Sequence, residues 1–272
     1  MKAASFAYAR PGTLEEIFGL LEKHGEGARI LAGGQSLMPS LNMRLSSPEL
    51  LVDISALSGL KAISVGKGVL KIGALVTHAQ LERSAEVQQH APLLAEAVKH
   101  VAHPAIRNRG TFGGSLALAD PAAEYPAVAL ALNAVILVKG SQGERRVPAS
   151  RFFKGLFETD LQPGELVTGA ELPVQAKHER SVFLELARRQ GDYAIIGLAA
   201  FRGEGAQRRL VYLNAGATPV LAGSASKETS LEKAKAALCK ELNPPADLYN
   251  SSATKLHLAG VLLERAWNRL ST

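Results

Sequence analysis

The sequence predicts an α+β fold in two parts, a larger one over residues 1–175 and a smaller one over 178–272. Three observations carry that prediction. Up to Pro173, short apolar stretches of strand length alternate with helical periodicities. Residues 174–179 (VQAKHE) break that patterning and read as a boundary. Beyond them, three consecutive strand-like stretches precede two helical ones, the order of a small antiparallel sheet backed by helices. The 272 residues are 47% hydrophobic, which supports a sizeable core and argues against disorder.

Taken in order, Phe6 and Tyr8 open a short strand that Pro11-Gly12 turns. Thr13 and Glu16 form a capping box, and Leu14, Ile17, Phe18 and Leu21 recur at helical spacing up to His24. Gly25 and Gly27 end that helix. A buried strand over 29–32 runs into Gly33-Gly34, and Ser36 is placed to cap a helix over 37–45 with Pro39 in its first turn. Residues 50–54 form a strand, and 61–65 with 69–74 form a hairpin about Gly66-Lys67-Gly68. Thr77 starts a helix containing His78, and 92–101 is another. After Gly113-Gly114, Asp120 caps and Pro121 opens a helix to Leu132. Strands follow over 134–139, 144–148 and 166–172. In the second part, 182–188, 194–202 and 208–214 are strands of a three-stranded sheet, and 231–241 and 252–270 are helices.

Composition excludes several functions. The net charge is +6, but the basic residues are scattered in pairs such as Arg145-Arg146, Arg188-Arg189 and Arg208-Arg209. Only 5% of residues are aromatic, which argues against a nucleic-acid face and favours a phosphate-bearing cofactor or an acidic protein partner. The single cysteine, Cys239, excludes disulfides and thiolate-held iron–sulfur clusters within the chain. It falls on a helix expected to pack against the core. No apolar run reaches the length of a membrane span and no signal-peptide core opens the chain, so a cytoplasmic protein is expected. His78, His100 and His103 have no ligand partners at metal spacing, and no G-x-S-x-G elbow is present.

The chemistry concentrates in two glycine pairs. Gly33-Gly34 is followed by Gln35 and Ser36; Gly113-Gly114 lies between Thr111 and Ser115. Glycine lets the backbone bend through positive φ and approach a ligand, and successive N–H groups in such a bend converge on an anion. One reading makes both pairs tight turns at strand ends. The other makes them a diphosphate cradle, with N–H donors from Gly33, Gly34, Gln35, Gly113 and Gly114 and hydroxyls from Ser36, Thr111 and Ser115. No G-x-G-x-x-G is present, so a Rossmann fingerprint is excluded.

The segments AGGQS (32–36), TFGGS (111–115) and DPAAE (120–124) resemble those of the FAD-binding medium subunits of the molybdenum hydroxylases. These are the flavin subunits of carbon monoxide, nicotine and xanthine dehydrogenases. The resemblance spans nearly the whole chain. It implies a PCMH-type domain over 1–175, with lobes over 1–55 and 56–175, followed by a C-terminal α+β domain over 178–272. It also implies FAD held by Ala32, Gly33, Gly34, Gln35 and Ser36 and by Thr111, Phe112, Gly113, Gly114 and Ser115. Gln35 stands where several members have histidine, Ser115 where others have asparagine or aspartate, and Leu184 where some have lysine.

By the same resemblance, Glu124 is either an acceptor for a hydroxyl of the cofactor or a solvated first-turn acid. Tyr193 lies against the flavin ring or is an ordinary strand tyrosine at a sheet edge, and Asp192 orients the ring or hydrogen-bonds the backbone of its turn. Val101 and Val167 pack on the cofactor or in the core. The implied partners are a large subunit with the molybdopterin cofactor and a small subunit with two 2Fe–2S clusters, in a dimer of heterotrimers. Electrons then pass from the clusters through FAD to an external acceptor. The alternatives are a stand-alone flavin oxidoreductase of the vanillyl-alcohol oxidase type and a non-catalytic nucleotide-binding module.

Overall fold

A computed structural model describes residues 2–271. The chain first builds β1 (Ala7–Ala9), α1 (Leu14–His24), β2 (Ala28–Leu31), α2 (Leu37–Asn42) and β3 (Leu50–Asp53). The three strands pair in parallel in the order β1-β3-β2. Parallel pairing requires crossover connections, and α1 supplies the first of them. Its capping box is formed: Glu16 N donates to Thr13 Oγ1 at 3.2 Å, and Thr13 N donates to the Glu16 carboxylate at 3.3 Å. Ile17, Phe18 and Leu21 then face the sheet. Ser36 makes no side-chain cap to α2, which stops at Asn42, short of the expected end.

The next unit contains β4 (Ile63–Gly66), β5 (Val69–Gly73), α3 (His78–Arg83), α4 (Ala85–His90), α5 (Pro92–Ala97), α6 (Pro104–Arg107), α7 (Phe112–Leu118) and α8 (Glu124–Ala131). It continues with β6 (Val135–Gly140), β7 (Gly143–Pro148), α9 (Ala149–Phe152), β8 (Phe153–Gly155), β9 (Glu158–Thr159) and β10 (Leu166–Pro173). Its antiparallel sheet has the order β4-β5-β10-β6-β7, so the last strand in sequence lies at the centre. Lys67 and Gly68 both take positive φ, 52° and 76°, which gives the β4–β5 hairpin the turn that matches strand twist.

The third unit comprises β11 (Arg180–Ala187), β12 (Ala194–Arg202), β13 (Arg208–Leu213), β14 (Val220–Leu221), α10 (Gly223–Lys227), α11 (Leu231–Glu241) and α12 (Ser252–Ser271). Its antiparallel sheet gains β14 as a fourth strand beyond the three expected. One face packs on α11 and α12. The other carries Phe183, Ala199, Val211 and Leu213 into the core shared with α5 and α8. Helix α8 is buried from Tyr125 to Ala131 because it is covered on several sides. Arg209 closes its C-terminal end, donating to the carbonyls of Ala131 at 3.0 Å and Leu130 at 2.7 Å.

Three expectations change here. Gly113 and Gly114 lie in the first turn of α7, which ends at Ala119 with φ of 52°. That left-handed residue forces a turn before the next helix. Asp120 therefore accepts from Ala122 N at 2.9 Å, and α8 starts at Glu124 without a side-chain cap. Cys239 is exposed, not packed against the core. No helix among the described residues is long and apolar enough to cross a membrane.

One ion pair orders the connection between α11 and α12. The Lys255 ammonium, with its side chain 2% exposed, lies 2.9 Å from Asp247, whose side chain is 38% exposed. Asp247 also accepts from the N–H groups of Tyr249 and Asn250, each at 2.9 Å. The Lys255 ammonium first, and these N–H groups next, hold its carboxyl well below the usual range. Asp247→Ala leaves the ammonium buried and unpaired. We expect a loss of about 2 kcal/mol in urea unfolding at neutral pH, below the ~3–5 kcal/mol of a fully buried pair because solvent screens Asp247. Because the folded pKa is depressed, the contribution is present at neutral pH and disappears on acidification below the ordinary carboxylate range.

Candidate functional site

A cavity of about 770 Å³ opens where the three units meet, within the ~300–1,000 Å³ typical of small-molecule sites. At one end the two glycine segments abut. A Cβ on Gly33 would overlap the Arg109 carbonyl oxygen and lie 2.8 Å from Gly110 Cα. Strand β2 delivers this corner, and Gly34 turns it with φ of 72°. Among the described residues, the N–H groups of Gly33, Gly34, Gln35 and Ser36 have no hydrogen-bond acceptor. The Gln35 side chain folds back, its Nε2 donating to Gly33 O at 3.0 Å. The Ser36 hydroxyl has no partner among the described residues.

The second segment differs from its expected role. Gly113 N donates to Ala74 O at 2.9 Å, Gly114 N to Thr111 Oγ1 at 3.2 Å and Ser115 N to Thr111 O at 3.1 Å. Those N–H groups are consumed by Ala74 and by Thr111 at the cap of α7, so they are not free for an anion. What this segment offers the cavity is the hydroxyls of Thr111 and Ser115. Gly113 is required for packing: a Cβ there would run into Ala74.

At the other end, Val101, Ala102 and His103 face Gly191, Asp192 and Tyr193. Gly191 has φ of 85°, and a Cβ on it would lie 2.9 Å from Ala102 O. Arg107 fixes that wall by donating to the carbonyls of Val101 at 3.1 Å and Ala102 at 3.0 Å while pairing with Glu82 at 3.1 Å. Tyr193 is 74% exposed at the cavity mouth, and Val167 contributes apolar wall.

Asp120 and Glu124 add an acidic side. Burial pushes the Glu124 carboxyl up to about 7, with the neighbouring Asp120 charge adding to it. Burial likewise raises Asp120.

Every predicted cofactor residue except Phe112 lines the cavity: Ala32, Gly33, Gly34, Gln35, Ser36, Val101, Thr111, Gly113, Gly114, Ser115, Glu124, Val167, Asp192 and Tyr193. Phe112 is 2% exposed, lies 5.3 Å from the Tyr125 ring and spends its N–H on Val76 O, so it offers the cavity nothing polar. Two groups escaped sequence reasoning. His78 stands on the cavity wall. Glu185, which does not line the cavity, has a buried Oε2 with no partner among the described residues, and its carboxyl is pushed up to about 8 by burial and by the Glu124 charge. The cavity thus offers anion donors at one end, an apolar middle and carboxylate acceptors along one side.

Comparison with known proteins identifies the family. Residues 4–175 match the model for the FAD binding domain in molybdopterin dehydrogenase. Residues 181–270 match that for the CO dehydrogenase flavoprotein C-terminal domain. The 6-hydroxypseudooxynicotine dehydrogenase complex subunit alpha of Paenarthrobacter nicotinovorans is 38% identical over 97% of this chain and 94% of its own length. A carbon monoxide dehydrogenase structure from Hydrogenophaga pseudoflava superposes with a TM-score of 0.95 at 33% identity, covering 100% of this chain and 99% of that one. Quinoline 2-oxidoreductase from Pseudomonas putida 86 superposes with a TM-score of 0.92 at 37% identity, covering 100% and 98%. Two family matches in tandem, relatives of nearly equal length and a shared fold place this chain in the family of FAD-binding medium subunits of the molybdenum hydroxylases.

Proposed function

We propose that the cavity holds FAD and that the chain relays electrons within a larger molybdenum-containing dehydrogenase. The observation that carries this is the row of unpaired N–H groups over Gly33–Ser36 on the wall of a cavity of about 770 Å³. Those groups, with the hydroxyls of Ser36, Thr111 and Ser115, hold the diphosphate. Glu124 accepts from a hydroxyl of the sugar part, and Asp192 and Tyr193 border the flavin end. Bound flavin supplies a centre that takes up single electrons and releases one or two. The chain contributes binding, orientation and exclusion of water, and none of its side chains acts as an acid or base.

With one cysteine, Cys239, the chain carries no thiolate-held cluster of its own. Electrons therefore arrive from a partner. In our reading these partners are a small subunit with two 2Fe–2S clusters and a large molybdopterin subunit, assembled as a dimer of heterotrimers in the cytoplasm. The naming of relatives as subunit alpha and as medium chain supports a multi-subunit enzyme.

The purified chain, alone or in its complex, is expected to be yellow and to release one FAD per chain on denaturation, measured by absorbance and chromatography. A folded chain that stays colourless after incubation with FAD sinks the proposal. Turnover of a small substrate by the isolated chain would instead mark a stand-alone oxidoreductase.

A further inference from the structure

We propose that His78 Nε2 is a cofactor-binding donor at the junction of the two glycine segments, with Tyr125 as the positioning residue that fixes its tautomer. The inference rests on the FAD reading above and deepens it. Three features place the imidazole. Thr77 pairs with Thr111 in an isolated β-bridge, and His78 N donates to Gly110 O at 3.0 Å, so the start of α3 is tied to the second glycine segment. A Cβ on Gly110 would lie 2.6 Å from His78 Nε2, and a Cβ on Gly33 would lie 2.8 Å from Gly110 Cα. Gly110 therefore stands between Gly33 and the imidazole, and the lack of side chains there lets the ring reach the place where the segments touch.

Two glycines in contact leave the backbone bare, and His78 is the ring beside it. It is 5% exposed and lies on the cavity wall.

The tautomer follows from hydrogen-bond accounting. His78 Nδ1 lies 3.1 Å from the Tyr125 hydroxyl, with the rings edge to face at 5.2 Å. Tyr125 is 1% exposed, and its hydroxyl has no other acceptor among the described residues. Leaving that O–H unpaired in the core costs ~1–3 kcal/mol, so it donates to Nδ1 and the ring proton sits on Nε2. Burial, and the Arg107 charge after it, hold the imidazole pKa down at about 4, so the ring is neutral at physiological pH. Burial raises the Tyr125 phenol well above 10, so it keeps its proton. Nε2–H has no acceptor among the described residues. A phosphate oxygen is the acceptor whose chemistry suits a donor standing beside the unpaired N–H groups of Gly33–Ser36.

The test compares FAD dissociation constants of apoprotein by fluorescence titration for wild type, His78→Leu, His78→Gln and Tyr125→Phe. Folding of each is checked by circular dichroism. Loss of a hydrogen bond to a charged oxygen weakens binding by about 10- to 100-fold in His78→Leu. His78→Gln puts an amide donor near the place of Nε2 and is expected to recover most of that loss. In wild-type apoprotein, nitrogen-15 spectra are expected to show one Nε2–H tautomer, and Tyr125→Phe a mixture of tautomers with intermediate affinity. Wild-type protein that takes up no FAD overturns the reading of the cavity itself. Wild-type uptake with unweakened binding by folded His78→Leu, equal losses in the Leu and Gln variants, or an Nδ1–H tautomer each overturn the role of His78 alone.

Discussion

Gly33→Ala is expected to yield a chain that folds but retains no FAD through gel filtration. The added methyl group meets backbone on one side only, and that backbone cannot rotate away. It would overlap the Arg109 carbonyl oxygen and lie 2.8 Å from Gly110 Cα and 3.0 Å from Arg109 C. Overpacking of this kind costs ~1–3 kcal/mol or more, and here the strain is relieved by parting the two segments. Parting them separates the N–H row of 33–36 from the hydroxyls of Thr111 and Ser115, so the cost falls on binding. Gly34→Ala is the informative contrast. Its φ of 72° strains any side chain by about 1 kcal/mol, but its Cβ meets only side-chain atoms, Leu31 Cδ1 at 3.1 Å and Met38 Cγ at 3.2 Å. Flavin content should fall less. Gly25→Ala, with open space around it but at φ of 50° and ψ of −128°, outside the left-handed helical region, should lower stability more and leave flavin content alone. Stoichiometric flavin in Gly33→Ala would detach the contact between segments from the cofactor.

The same neighbourhood shows how far the sequence could be read. The capping box of Thr13 with Glu16 is a local, four-residue device and it forms, and Thr77 starts its helix as expected, with Gln80 completing a second box that was not read from the sequence. The Lys67-Gly68 hairpin is likewise local. Most of the cavity residues were reached through the resemblance, which the contiguous segments 32–36 and 111–115 carry. Helix α7 was not legible, because two glycines oppose helix formation by local propensity. Tertiary contact overrides that: Ala74 presses on Gly113 so closely that only glycine fits, and Thr111 caps the helix through Gly114 N. The diphosphate donors expected from Gly113 and Gly114 were lost for the same reason. Glu185 was hidden by its strand. Residues 182–186 of β11 read VFLEL, apolar toward both faces, so alternation does not reveal which way the acid points. His78 acquires meaning only from Gly110 and Tyr125, 32 and 47 positions downstream by residue number (110 − 78 and 125 − 78).

Glu185→Gln should stabilise the apoprotein at alkaline pH and not at acidic pH. The Glu185 carboxyl is pushed from an ordinary 4.5 up to about 8, first by burial and second by the Glu124 charge, and its Oε2 is buried without a partner among the described residues. With the folded pKa above the unfolded one, the folded state holds a proton that the unfolded state has released. The site is therefore harmless below pH 4.5 and costs stability progressively as pH rises toward 8. Each unit is worth about 1.4 kcal/mol, and with the remaining exposure discounted the penalty at pH 8.5 is about 2–3 kcal/mol. Glu124, raised to about 7, works in the same direction, so Glu124→Gln and Glu185→Gln together should gain less than the sum of the two. His78 opposes them. Its folded pKa of about 4 lies below the ordinary 6.5, so its contribution is complete above pH 6.5 and is lost as pH falls to 4. Between pH 4.5 and 6.5 His78 therefore offsets only part of the loss from the two acids, and above pH 6.5 the acids alone remain and set an alkaline flank of falling stability. Urea midpoints from pH 4.5 to 8.5 should show Glu185→Gln lifting only the alkaline flank. A difference from wild type that stays constant with pH would mean that the Glu185 proton is not held in the fold.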